Sequence, residues 1–364
     1  MSSILDYLRW RGDLPLASIP LGEVDGLILS QLSMLFWEEG LGAGGSETLK
    51  SLGGILQGKP FSVGYTAEND VKLLEAVAGS ERFGGIVLSD YEHAFDDEAG
   101  IQFAAVTLRL PDNSVFVSFR GTDNTLVGWK EDFAMTYSRS VPAQEAAAMY
   151  LRRIAGRYLG RLYAGGHSKG GNLAMYAAAH LEEGQRARIA QVYNNDGPGF
   201  NDSAFARDIY GKIQGQLLSF VPQSSVIGML LNHPEDYEIV ASDSIGIWQH
   251  DPYSWQVEGP RFVRRPALAG DSVYVQNVVR RWLSEVEEEE RCLFIETLFQ
   301  VLKSTDARSF GKDFWLGLFT HPGAVLASIK DIDPESRRRI NRVWAELAKA
   351  AVRREGKEEK PLSA

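Results

Sequence analysis

Between Arg161 and Ala179 the chain reads RLYAGGHSKGGNLAMYAAA. A short apolar run passes through Gly165, Gly166, His167, Ser168, Lys169, Gly170 and Gly171 into an alanine-rich segment with helical amphipathic spacing. No other stretch constrains the fold as tightly. A strand that becomes a helix within so few residues needs a sharp turn, and glycines flank such turns because side chains there collide with strand and helix. A serine at the centre is the pattern of a nucleophile elbow, in which the hydroxyl stands at the end of a buried strand and the helix N-terminus favours developing negative charge. The competing reading is a serine at a structural turn, since lone G-x-S-x-G matches arise by chance.

The surrounding pattern supplies the context of an elbow. IQFAAVTLRL and SVFVSFRG read as strands joined by the turn-forming PDNS. AAAMYLRRIAGRYL reads as a helix, RLYAGG as a buried strand, NLAMYAAAHLEE as a helix and AQVYNND as another strand. Upstream, AENDVKLLEAVAGS predicts a helix ending at Gly79, and Ile28, Leu32, Leu35 and Phe36 fall at helical spacing. Strands alternating with helices predict an α/β fold, a mainly parallel sheet with helices on both faces. The expected organisation is an N-terminal helical segment (1–60) packed on a core (61–260), a C-terminal helical region (261–356) and a flexible tail (357–364).

Composition narrows the function. The 364 residues carry 48 acidic against 38 basic side chains, a net charge of −10, which argues against broad nucleic-acid binding. The single cysteine, Cys292, cannot form an internal disulfide and reads as a buried structural thiol. No secretory signal or bilayer-spanning apolar run is visible, so a soluble, cytoplasmic protein is expected.

A nucleophilic serine needs a base and the base an orienting acid. In the elbow architecture the chain order is serine, acid, histidine. His93, in the acidic stretch SDYEHAFDDEAG, precedes the serine and is expected in a solvated loop rather than at a cation site. His167 is expected to point away from the site, and His180 ends the helix after the elbow. Of the downstream histidines, His250 in IGIWQHDPYSW sits where a strand gives way to a polar loop and is the expected base. His233 is the runner-up and His321 reads as a helix-end residue. Asp196, at the end of the strand in VYNNDGPGF, is the expected acid, with an ordinary Asp-Gly turn as the competing reading. Asp236, Asp243 and Asp251 are competitors; Asp251 adjoins His250, and neighbouring side chains point apart. For the oxyanion, the expected donors are the Lys169 backbone N–H and Thr122, through its hydroxyl and N–H, with Arg120 tying that loop to a carboxylate such as Asp132.

VSFRGTDNTLVGWKEDF followed by AGGHSKGGNLAMYAA resembles the class 3 lipases of the α/β-hydrolase fold, whose pattern is F-R-G-[ST], W-x-x-D-[LF], then G-H-S-x-G-G. The matching residues are Phe119, Arg120, Gly121, Thr122, Trp129, Asp132 and Gly166 to Gly171, within a resemblance covering about residues 85–255. The opening DYLRWRGDLPL, VYNNDGPGF, FVPQSSVIGMLL and QHDPYSW resemble a bacterial group related to these lipases. Two departures stand out. Lys169 follows the serine where those lipases carry an apolar residue. The segment FVPQSSVIG, where they carry the acid, has none, whereas Asp196 matches the acid placement of pancreatic-type lipases.

The resemblance implies a serine hydrolase acting on a carboxylic ester, acyl lipids included, with no metal or organic cofactor. The alternative is a hydrolase-fold protein that binds a ligand or protein partner without turnover, favoured by Lys169 and the missing later acid. Acyl transfer to an acceptor other than water uses the same site.

Overall fold

The computed structural model describes residues 2–270, except 43, 63–65, 97, 99 and 124, and scattered positions between 272 and 338. The chain opens with helices α1 (Ile4–Arg11), α2 (Glu23–Gln31) and α3 (Glu38–Leu41), the short strand β1 (Glu47–Thr48), then α4 (Leu49–Ile55) and α5 (Ala67–Ala78). Three longer strands follow, β2 (Val87–Asp96), β3 (Ile101–Arg109) and β4 (Val115–Phe119). Helices and strands then alternate through α6 (Leu126–Ala134), α7 (Pro142–Arg157), β5 (Leu162–His167), α8 (Lys169–Ala179), α9 (Glu183–Arg186), β6 (Ile189–Asn195), α10 (Ser203–Ile213), β7 (Leu217–Pro222) and β8 (Glu238–Val240). A small hairpin, β9 (Val257–Glu258) with β10 (Arg261–Phe262), completes the described elements.

β1 to β8 form one sheet in sequence order. The pairings up to β3–β4 are antiparallel, and those from β4–β5 to β7–β8 are parallel. Parallel neighbours need crossovers, and the right-handed rule sends consecutive crossovers moving one way across a sheet to the same face. α7, α8 and α10 accordingly pack together on one face. The opposite face is covered by the N-terminal helices, with α2 lying across β4, β5 and β6. β4 shows the division with period two: Val115, Val117 and Phe119 enter one core and Phe116 the other. This is an α/β-hydrolase fold, its elbow in the middle of the sheet.

Local chemistry explains the central helices. α7 starts with Pro142 at its first turn, where a missing N–H costs nothing. α8 is buried along its whole length rather than amphipathic, since α7 and α10 flank it outside and the sheet lies beneath. Its alanines are what such close packing requires. On the other face, α2 approaches so near that a Cβ at Gly26 would lie 2.3 Å from the Tyr193 ring. A buried bidentate pair, Arg82 Nη2 to Asp25 Oδ2 at 2.6 Å and Nε to Oδ1 at 2.8 Å, joins α2 to the segment after α5, and Tyr7 Oη of α1 donates to the same carboxylate.

Three expectations need correction. The acidic stretch around His93 is not a loop: it forms β2, where His93 Nδ1 meets Glu38 Oε1 at 2.7 Å. Cys292 is half-buried rather than buried. Arg261–Phe262, expected to begin the C-terminal helical region, is a strand paired with β9. Most of that region, with His321 and the tail at 357–364, lies outside the described residues. Among the described residues, no helix is long and apolar enough to cross a membrane.

Candidate active site

The C-terminal end of β5 delivers the chain into α8 through Ser168, whose backbone has φ 59° and ψ −134°. A non-glycine residue rarely adopts that conformation, and holding it costs roughly 1–3 kcal/mol. The surroundings impose it. Ser168 N–H donates to the Asn195 carbonyl at 3.0 Å, and the Ser168 carbonyl accepts from Gly171 N–H at 2.9 Å. A Cβ at Gly166 would lie 2.1 Å from the Gly170 carbonyl carbon, and one at Gly170 would lie 2.2 Å from the Phe119 carbonyl oxygen. Strand, turn and helix therefore fit only with hydrogen in those places.

One strand over, Asp196 follows β6 and is fully buried, also with positive φ (54°). Its Oδ2 meets His250 Nδ1 at 2.6 Å. Its Oδ1 accepts from Ser225 Oγ at 2.5 Å. Gly228 makes room for the carboxylate: a Cβ there would lie 2.0 Å from Oδ1. Ser225 and Gly228 were not named from the sequence. Both lie in the segment FVPQSSVIG, which lacks an acid and instead brings a hydroxyl to Asp196.

His250 ends a 3₁₀ turn, Gly246–His250, fastened at several points. Gln249 accepts from Ser224 N–H at 2.7 Å and donates to the Ser244 carbonyl at 2.9 Å. Tyr253 Oη donates to Asp70 on α5 at 2.6 Å. The expectation that His167 points away is wrong. Its ring lies 4.5 Å from the His250 ring, tilted by 34°, and its Nε2 bonds the His250 carbonyl at 2.8 Å. Burial, then the neighbouring His250, pushes the His167 pKa well below the usual 6.5, so the ring is neutral and donates this bond.

The other described histidines are engaged elsewhere. His233 has both nitrogens engaged, with Glu235 Oε1 at 2.9 Å and the Leu230 carbonyl at 2.8 Å. His180 follows α8 and bonds the Tyr176 carbonyl. Among the competing acids, Asp251 accepts from Tyr253 N–H and Asp243 from Gln256.

The loop after β4 runs beside the elbow, and a Cβ at Gly121 would lie 3.4 Å from Ser168 Cβ. The Thr122 hydroxyl, expected to face an oxyanion, is committed to Asp132 Oδ2 at 2.5 Å. Thr122 keeps its backbone N–H as a candidate donor. Arg120 does not reach Asp132. It donates to the carbonyls of Ser33 and Leu35, both at 2.7 Å, and stacks over Phe36. Lys169 sends its side chain into the protein, where Nζ donates to the Gln102 carbonyl at 2.9 Å, Gln102 Oε1 at 2.6 Å and Glu131 Oε2 at 2.9 Å.

A family model described as Mbeg1-like matches residues 77–300, more than half of the chain. The chain belongs to the Mbeg1-like family. The matched span contains Thr122, Ser168, Asp196 and His250. No curated protein matches this Mbeg1-like chain. Among solved structures, the native Rhizomucor miehei lipase propeptide complex is similar at 15% identity and a TM-score of 0.33, over 44% of this chain and 57% of that one. M37 lipase is similar at 14% identity and a TM-score of 0.34, over 45% of this chain and 64% of that one. The chain thus spans less than two thirds of either lipase.

Proposed function

We propose that this Mbeg1-like protein is a serine hydrolase of carboxylic esters, acyl lipids among them. The reading is supported above all by one observation: the buried Asp196 carboxylate bonds His250 Nδ1 at 2.6 Å on a sheet whose elbow holds Ser168 at φ 59°. In this reading Ser168 Oγ attacks the acyl carbonyl and His250 Nε2 takes the hydroxyl proton. Asp196 holds the imidazole in the required tautomer and stabilises the imidazolium. The backbone N–H groups of Thr122 and Lys169 receive the oxyanion, assisted by the N-terminus of α8. Collapse of the tetrahedral intermediate expels the alkoxide, which leaves as the alcohol with the proton from His250. Water, deprotonated by His250, then attacks the acyl-enzyme; the bond from the acyl carbon to Ser168 Oγ breaks, His250 returns the proton to Ser168 Oγ and the carboxylic acid leaves.

The test is hydrolysis of p-nitrophenyl esters of graded acyl length by the full chain beside Ser168→Ala and His250→Ala. The reading expects turnover in the wild type and a loss of about 10³-fold or more in each variant. Equal rates in wild type and Ser168→Ala would assign any turnover to something other than this site.

A further inference from the structure

Lys169 is the residue that least fits a hydrolase elbow, and its surroundings give it a task. The side chain leaves the first turn of α8 and is 1% exposed. Its ammonium lies between two carboxylates of α6, Glu131 Oε2 at 2.9 Å and Asp132 Oδ1 at 4.0 Å. Glu131 Oε1 is occupied by the Ala143 N–H at 2.8 Å. The third partner is Gln102 on β3, fully buried, which offers Nζ both its carbonyl and its Oε1.

The contact with Oε1 decides which way the Gln102 amide faces. Because an ammonium only donates, it must meet the oxygen, and the amide nitrogen is turned to the other side. There Gln102 Nε2 donates to the Gly121 carbonyl at 3.4 Å. That carbonyl shares a planar peptide with the Thr122 N–H, and in a trans peptide the two point in opposite directions. Holding the carbonyl on Gln102 therefore holds the N–H facing away from it. Thr122 is fixed independently through its hydroxyl on Asp132, itself beside Lys169.

We propose that Lys169 is a positioning residue for the oxyanion side of the Ser168 site: through Gln102 it sets the Gly121–Thr122 peptide so that the Thr122 N–H aligns with the N–H of Lys169. This rests on the serine-hydrolase reading. One residue then supplies one oxyanion donor from its backbone and aligns the other through its side chain. An apolar residue at 169 would leave Glu131 and the Gln102 acceptors buried without a cation, so the departure from the lipase pattern goes together with this network.

A buried ion pair that only fastens α6 to α8 would affect stability and leave the chemical step alone. The test is steady-state hydrolysis of a p-nitrophenyl ester by the full chain, with melting temperatures alongside. Gln102→Glu keeps an acceptor for Lys169 and nearly the same volume, but loses the donor to Gly121. Gln102→Met loses both. The pair Lys169→Met with Glu131→Gln removes the cation together with the charge of its nearer carboxylate, leaving Asp132 on the Thr122 hydroxyl. The expected result is a kcat lower by about 10²-fold in each variant with KM changed less than about threefold, the signature of interactions made in the transition state. Should Gln102→Met or the pair fail to fold, Gln102→Glu alone carries the comparison. Wild-type turnover with a folded Gln102→Glu within threefold of it in kcat overturns this proposal alone. A folded but inactive wild type overturns the hydrolase reading with it.

Discussion

Lys169 brings one positive charge to two carboxylates, and that imbalance falls on Asp132. Burial, only partly offset by Lys169, pushes the Asp132 pKa up to about 6. In the unfolded chain the group titrates near about 4. Between those values the folded protein holds a proton that the unfolded chain has released, so stability falls as pH rises through that window. Asp132→Asn should therefore melt higher than wild type above pH 6, while near pH 4 the two should coincide; thermal unfolding across that range checks it. His167 works in the opposite sense. Its folded pKa is depressed, so folded molecules stay neutral where unfolded ones take a proton, and stability is lost as pH falls below 6.5. His167→Phe should flatten that acid loss. Asp196→Asn should keep the fold and lower kcat by about 10⁴-fold, because an amide opposite His250 Nδ1 favours the wrong tautomer.

The elements show why some features are legible in a chain and others are not. Gly166 is required by contact with the backbone of Gly170, which cannot move without moving the helix. Gly166→Ala should cost about 3 kcal/mol or more, read as a lower denaturant midpoint. Gly228 is required by a side chain instead, so Gly228→Ala should fold and displace Asp196, losing activity at nearly unchanged stability. The strand, elbow and helix around Ser168 could be read because apolar runs and glycines mark them locally. β2 could not: it is a polar strand toward the sheet edge, broken by a register shift between Ser89 and Glu92, with Asp90 at positive φ. The role of Ser225 was equally invisible, since a serine 29 positions from Asp196 carries no local mark of a contact made only after β6, α10 and β7 have packed. The Thr122 hydroxyl departs from its expected role because F-R-G-T places the residue while Asp132, across the loop, decides what the hydroxyl does.

Across the whole molecule, the site depends on the N-terminal helices as much as on the strands that carry it. Ser118 Oγ on β4 donates to the Ser30 carbonyl at 2.9 Å, and Arg120 is held by carbonyls just after α2. Tyr253, three residues past His250, is fastened to α5 through Asp70. Ile4, Val24, Leu27, Ile28 and Leu52 share one core with Val106, Phe116 and Phe220 of the sheet. Removing residues 1–60 would expose that face of a largely parallel sheet, which is stable only when both faces are covered. The truncated chain should aggregate or lose its cooperative thermal transition, as circular dichroism and size-exclusion chromatography will show.

In the proposed hydrolase the fold activates Ser168. Reaction of the full chain with a fluorophosphonate, with the modified residue located by mass spectrometry, tests it most directly. Stoichiometric labelling at Ser168 is expected, with none in Ser168→Ala and strongly slowed labelling in His250→Ala. A folded wild-type protein that stays unlabelled, with or without detergent, would contradict it.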